Sequence, residues 1–171
     1  MEKSFLRAFL FSLAIFLVVN FLLYIIAYSM ADFIETEFAR ISDHPSHSIF
    51  LIVFPSQYFP WELFTNMADA GSFAFKLFYL GGFISFVIAA IVAGFMGGDI
   101  KKSLGAWFLT VICCIILHII ILLIDDYNLN YMKSGITVVE GIVIVLIAGI
   151  ANALIYGVIV FIIAFFSGRG S

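Results

Sequence analysis

Charge is scarce in this sequence: 11% of its 171 residues are Asp, Glu, Lys or Arg, against about 25% in an ordinary soluble domain. That shortage excludes a soluble globular domain, whose surface needs charge. It also excludes a disordered chain and a basic nucleic-acid-binding face. Cysteine is nearly absent too. Cys113 and Cys114 stand side by side in an apolar run. Neighbours on a helix point about 100° apart, so the two read as small buried apolar residues rather than a disulfide. Catalytic signatures are missing as well. The chain has no phosphate-cradling glycine loop, no H-E-x-x-H, no C-x-x-C and no G-x-S-x-G. Its one histidine cluster, Asp43, His44, Pro45, Ser46 and His47, reads as a solvated loop rather than a metal site. His118 alone cannot supply paired axial ligands for haem. Neither an enzyme, a metal nor a cofactor is expected.

What fills the space is apolar: 64% of residues are hydrophobic and 21 are Phe. Four long apolar segments, at about 8–31, 73–96, 104–124 and 136–166, reach the length of about 20 residues that a bilayer-crossing helix needs. Lipid demands a backbone that satisfies its own hydrogen bonds, so all four are read as helices. Ser29 and Ala31 before Asp32 mimic a signal-peptidase site, but the apolar core exceeds the usual 7–15 residues, and the segment reads as a retained helix. The expected fold is an all-α integral membrane protein of one domain, 1–171, with four transmembrane helices forming two αα-hairpins.

Orientation follows from the loops. Lys3, Arg7, Lys101, Lys102 and Arg169 fall on one side; Arg40, Lys76 and Lys133 fall on the other, with nine of the eleven acids. The positive-inside rule then places both termini in the cytoplasm, in what is most simply the cell membrane. The outer connection, 32–72, has pattern of its own. Phe33, Ile34, Phe38 and Ile41 recur at helical spacing, which reads as an amphipathic extension of the first helix. Ile49 to Phe54 is apolar but too short to span. Pro60 suits the first position of a new helix, with Glu62 near its positive end. The whole connection reads as an interfacial or re-entrant cap; a compact covering loop is the alternative.

A weak internal repeat runs through the spans. A shift of 98 residues lays Leu6 on Leu104, Ala8 on Ala106 and Asn20 on His118. A shift of 59 lays Gly82 on Gly141, Ala90 on Gly149, Gly94 on Ala153 and Gly98 on Gly157. Ala90, Gly94 and Gly98, like Gly149, Ala153 and Gly157, recur every four residues. Such small-xxx-small stripes let membrane helices approach closely. Polar groups at membrane depth are few: Asn20, His118, Glu140 and Asn152, with Lys76 near the outer start of the second span. By helical rise, His118 and Glu140 lie at similar depth, roughly 9 and 6 Å below the outer boundary. They define a candidate outer-leaflet polar site with Asn20 and Lys76; interhelical hydrogen-bonding is the plainer reading.

The expected function is that of a non-catalytic structural or accessory subunit of a larger membrane complex, surrounded by lipid and by other subunits or copies of itself. The alternatives are a transporter or channel component using the polar site, and a membrane enzyme handling lipid or quinone.

Overall fold

The computed structural model describes residues 4–31, 34–125, 127–132 and 135–168; for Ile34, Glu37, Phe38, Asn130 and Tyr131 only the backbone is described. Lys3, Asp32, Phe33, Asp126, Lys133 and Arg169, used above for orientation and amphipathicity, lie outside the described residues. Within them the chain is all-helical.

Four long helices occupy the four apolar runs: α1 (Phe5–Met30), α5 (Phe73–Gly97), α6 (Ile100–Ile124) and α8 (Val138–Ser167). Each is long and apolar enough to cross a membrane, which makes this a multi-pass membrane protein by length and composition. Short polar residues start them. Ser4, Ser72, Asp99 and Thr137 each accept a backbone N–H of the first turn, so donors that the helix cannot satisfy are paired. Gly98, which follows α5, takes φ 85° and turns the chain within two residues into α6. That left-handed position suits glycine.

α1 packs on α5 and α6, and α8 packs on the same two helices. The half of the bundle nearer the α5–α6 turn has an aromatic core. Phe16 tilts against Phe86 at 4.7 Å, Phe86 stacks on Tyr156 at 5.0 Å, and Trp107 closes on both. Outward, all four helices show large exposed apolar side chains, Leu6, Leu22, Phe95, Ile116 and Leu154 among them.

The other end is built from short pieces. The amphipathic stretch after α1 is a separate helix, α2 (Ile34–Asp43), not an extension. Then follow α3 (Ser46–Val53), a 3-10 turn (Phe54–Gln57) and α4 (Pro60–Asp69). Pro60 does hold the first position of α4, and Glu62 accepts from the Phe59 N–H at 2.8 Å. A last short helix, α7 (Tyr127–Met132), bridges α6 and α8.

The small-residue stripes lie inside the bundle, but they do not face each other. A Cβ on Gly94 would stand 2.7 Å from Ile163 Cβ, so the α5 stripe faces α8. Gly149 lies against Ile115 of α6, and Ala153 O accepts from Trp107 Nε1 at 2.9 Å, so the α8 stripe faces α6. Ala90 is fully buried. Gly98 belongs to neither stripe, because α5 ends one residue before it. Gly97 takes the close contact instead, against Ser103 of the next helix, whose hydroxyl donates to Gly94 O.

Candidate functional site

The segment from α3 through the 3-10 turn enters the bundle. It touches α1, α5, α6 and α8, and Phe50, Leu51, Val53, Phe54, Ser56 and Gln57 are all buried. The apolar run from Ile49 to Phe54 explains why it leaves the surface. A helix end placed there creates a problem, since its last carbonyls have no intrahelical partner. Asn20 solves it. Its amide donates to Leu51 O at 3.2 Å and to Ile52 O, one side chain meeting two stranded acceptors. Asn20 lies ten residues before the end of α1 at Met30, or about 15 Å along the axis. That is about half of a hydrocarbon core of about 30 Å.

The next residues are irregular, and again side chains of the long helices supply what the backbone lacks. Asn152 Nδ2 donates to Tyr58 O at 2.9 Å and, at 3.5 Å, to Ser56 O. His118 Nδ1 lies 3.0 Å from Ser56 Oγ. Pro55 packs into the space left by Gly82, where a Cβ would stand 2.9 Å from the proline ring. Irregular backbone inside a bundle needs partners for its polar groups, and these contacts supply them.

Several polar atoms of this layer have no hydrogen-bond partner within 3.5 Å among the described residues: His118 Nε2, Asn152 Oδ1 and both amide atoms of Gln57. Buried polar atoms are ordinarily paired, and ordered water is the usual partner where protein supplies none.

The four polar residues expected to form one site are therefore divided. Asn20 and His118 both reach the inserted segment, Asn20 at Leu51 and Ile52 and His118 at Ser56. Glu140 does not join them. It is exposed at the third position of α8, where Oε2 accepts from Thr137 N at 2.8 Å and Thr137 Oγ1 at 2.9 Å, while Thr137 Oγ1 accepts from Glu140 N. That is a capping box, and it holds the carboxylate at the helix start. The pairing of His118 with Glu140 suggested by depth alone is not formed. Lys76 is exposed in the first turn of α5 and shares none of these contacts. Sequence reasoning missed Ser56 and Gln57, which carry no periodic signal. The capping box was legible as T-V-V-E at 137–140.

A second polar cluster anchors the start of the segment. Ser46 Oγ donates to Asp125 Oδ2 at 2.6 Å, His44 Nδ1 lies 3.2 Å from the same oxygen, and the Tyr127 N–H donates to Oδ1. Asn128 bridges Ser46 and His47, at 3.2 and 2.8 Å. The His44 ring stacks on Tyr127 at 4.0 Å. Burial works against charge on Asp125, but the hydrogen bonds from Ser46, Tyr127 and His44 outweigh it and hold the carboxyl below its usual range. The histidine cluster of the loop is thus engaged in anchoring α3 to the α6–α7 junction. No group of three or more His, Cys, Asp or Glu placed to hold a metal occurs among the described residues.

No family model, no curated protein and no solved structure matches this chain.

Proposed function

We propose that this protein is a non-catalytic accessory subunit of a larger membrane assembly. One observation carries the reading: the interior is occupied by the chain itself. The aromatic core fills the half nearer the α5–α6 turn, and the inserted segment fills the other. The outward faces, by contrast, carry large apolar side chains on every long helix. Such a body suits packing against neighbouring subunits in lipid better than carrying a substrate through its own centre.

Its finer arrangement belongs to the same proposal. α1 with α5, and α6 with α8, are two hairpins related as a parallel repeat, with both termini in the cytoplasm. Support comes from equivalent positions doing equivalent work. Asn20 and His118, 98 residues apart, both bond to the inserted segment. Gly82 and Gly141, 59 apart, both receive residues of the short elements, Pro55 and Leu129. On this reading the inserted segment is a re-entrant cap of the outer leaflet. A second reading, a transporter or channel component, is favoured by the unpaired polar atoms around Ser56.

The test is the composition of the native particle, solubilised in mild detergent and cross-linked before purification. Other polypeptides in constant ratio support the subunit reading. A particle containing this chain alone, with uptake abolished by His118→Ala, supports the transporter reading and overturns the first.

A further inference from the structure

Beside the inserted segment, a cleft of about 450 Å³ opens between α4 and the first third of α8. Its two walls differ in kind. Gln57, Tyr58, Phe59 and Glu62 line one; Ile144 and Ile147 line the other. Ile147 is exposed on the outward face of α8, so the apolar wall runs out to where lipid chains lie. The volume is that of a small-molecule site.

We infer that this cleft binds the ammonium head of a membrane amphiphile, with the apolar chain laid along Ile144 and Ile147. The charge argument comes from Glu62. One of its oxygens caps α4 through the Phe59 N–H; the other makes no hydrogen bond among the described residues. No cation among the described residues lines the cleft. A carboxylate so placed attracts an ammonium and repels a head that is anionic only. The aromatic argument comes from Tyr58 and Phe59, the second of which is stacked at 4.5 Å on Trp61. Aromatic faces beside a carboxylate are the usual surroundings of bound ammonium groups.

Gln57 supplies the independent observation. It is 4% exposed, it lines the cleft, its amide is turned toward Tyr58, and neither amide atom makes a hydrogen bond within 3.5 Å among the described residues. An amide both accepts and donates. Its Oε1 can take an ammonium N–H, and its Nε2 can donate to an ester, hydroxyl or phosphate oxygen of the same head. The ligand's shared chemistry is therefore an ammonium on an apolar chain, from either of two sources: an ethanolamine phospholipid or a free long-chain amine.

The experiment uses the full chain in a non-ionic detergent, with bound ligand read by native mass spectrometry. Three probes are compared: phosphatidylethanolamine, phosphatidylglycerol with the same acyl chains, and dodecylamine. At least one ammonium probe should be retained about tenfold better than phosphatidylglycerol, and Glu62→Gln, which keeps an oxygen for the α4 cap, should erase that preference. Retention of the phospholipid alone identifies a lipid headgroup, and retention of dodecylamine alone identifies a free amine; both support the proposal. If Glu62→Gln does not fold, Gln57→Leu leaves the cap untouched and should lower retention in the same assay. Equal retention of phosphatidylglycerol, retention of neither ammonium probe, or a preference that survives the substitutions overturns it.

Discussion

Asn20 and Gln57 are both buried amides at the inserted segment, and they should respond oppositely to substitution. Asn20 satisfies two carbonyls at the end of α3. Asn20→Leu leaves both without a donor, and a buried unsatisfied group costs about 1–3 kcal/mol. Thermal unfolding in detergent should show a clear fall in midpoint. Gln57 makes no such bond, so Gln57→Leu removes an unpaired buried amide for an apolar side chain of similar size. It should leave the midpoint unchanged or raise it. Equal losses in the two variants would show that Gln57 is structural. Composition placed Asn20 at membrane depth from the sequence alone. Its partners were not legible, because backbone carbonyls of a distant segment leave no mark in side-chain pattern. Glu140 shows the opposite weakness: an estimate of depth carried the charge inward, while a local four-residue cap held it at the surface.

At the scale of elements, the glycine stripes were readable from spacing, but their partners were not. The six small residues looked alike in sequence and are unlike in space. Gly94→Ala puts a Cβ 2.7 Å from Ile163 Cβ, beside the α8 backbone, and should cost about 1–3 kcal/mol by overpacking. Gly157→Ala meets Trp107 no closer than 3.8 Å and should be tolerated, even gaining up to about 1 kcal/mol of helix propensity. Unfolding midpoints of the two variants check the difference. Gly98 is a third case, where φ 85° rather than space opposes a side chain. The α3 anchor adds a pH dependence. Asp125 has a lowered carboxyl pKa in the folded protein. Its contribution to stability is therefore fully present above the ordinary carboxylate pKa of about 4 and is lost as pH falls through the folded value. Asp125→Asn should remove that part of the acid sensitivity, measured as the change in midpoint between pH 6 and pH 3. The anchor itself was invisible beforehand, because 44–47 and 125–128 are distant in sequence and neither segment is periodic.

For the whole molecule, the four apolar runs and their helical state followed from composition and from the demands of lipid on a backbone. The insertion of α3 did not, since an eight-residue apolar helix can lie on a bundle as readily as in it. Orientation has its own measurement. Single cysteines at Ser4 and Gly135, in a background lacking Cys113 and Cys114, should be labelled from opposite sides by an impermeant thiol reagent in sealed vesicles. Labelling from one side would refute the proposed topology. The inserted segment also has a consequence for biogenesis. Residues 51–58 leave the ribosome long before two of their partners, His118 on α6 and Asn152 on α8. Only Asn20 is already made. Seating of the segment must therefore wait until the last long helix has been synthesised and has entered the membrane, so that nascent chains halted before α8 should keep it open to protease that spares the finished protein.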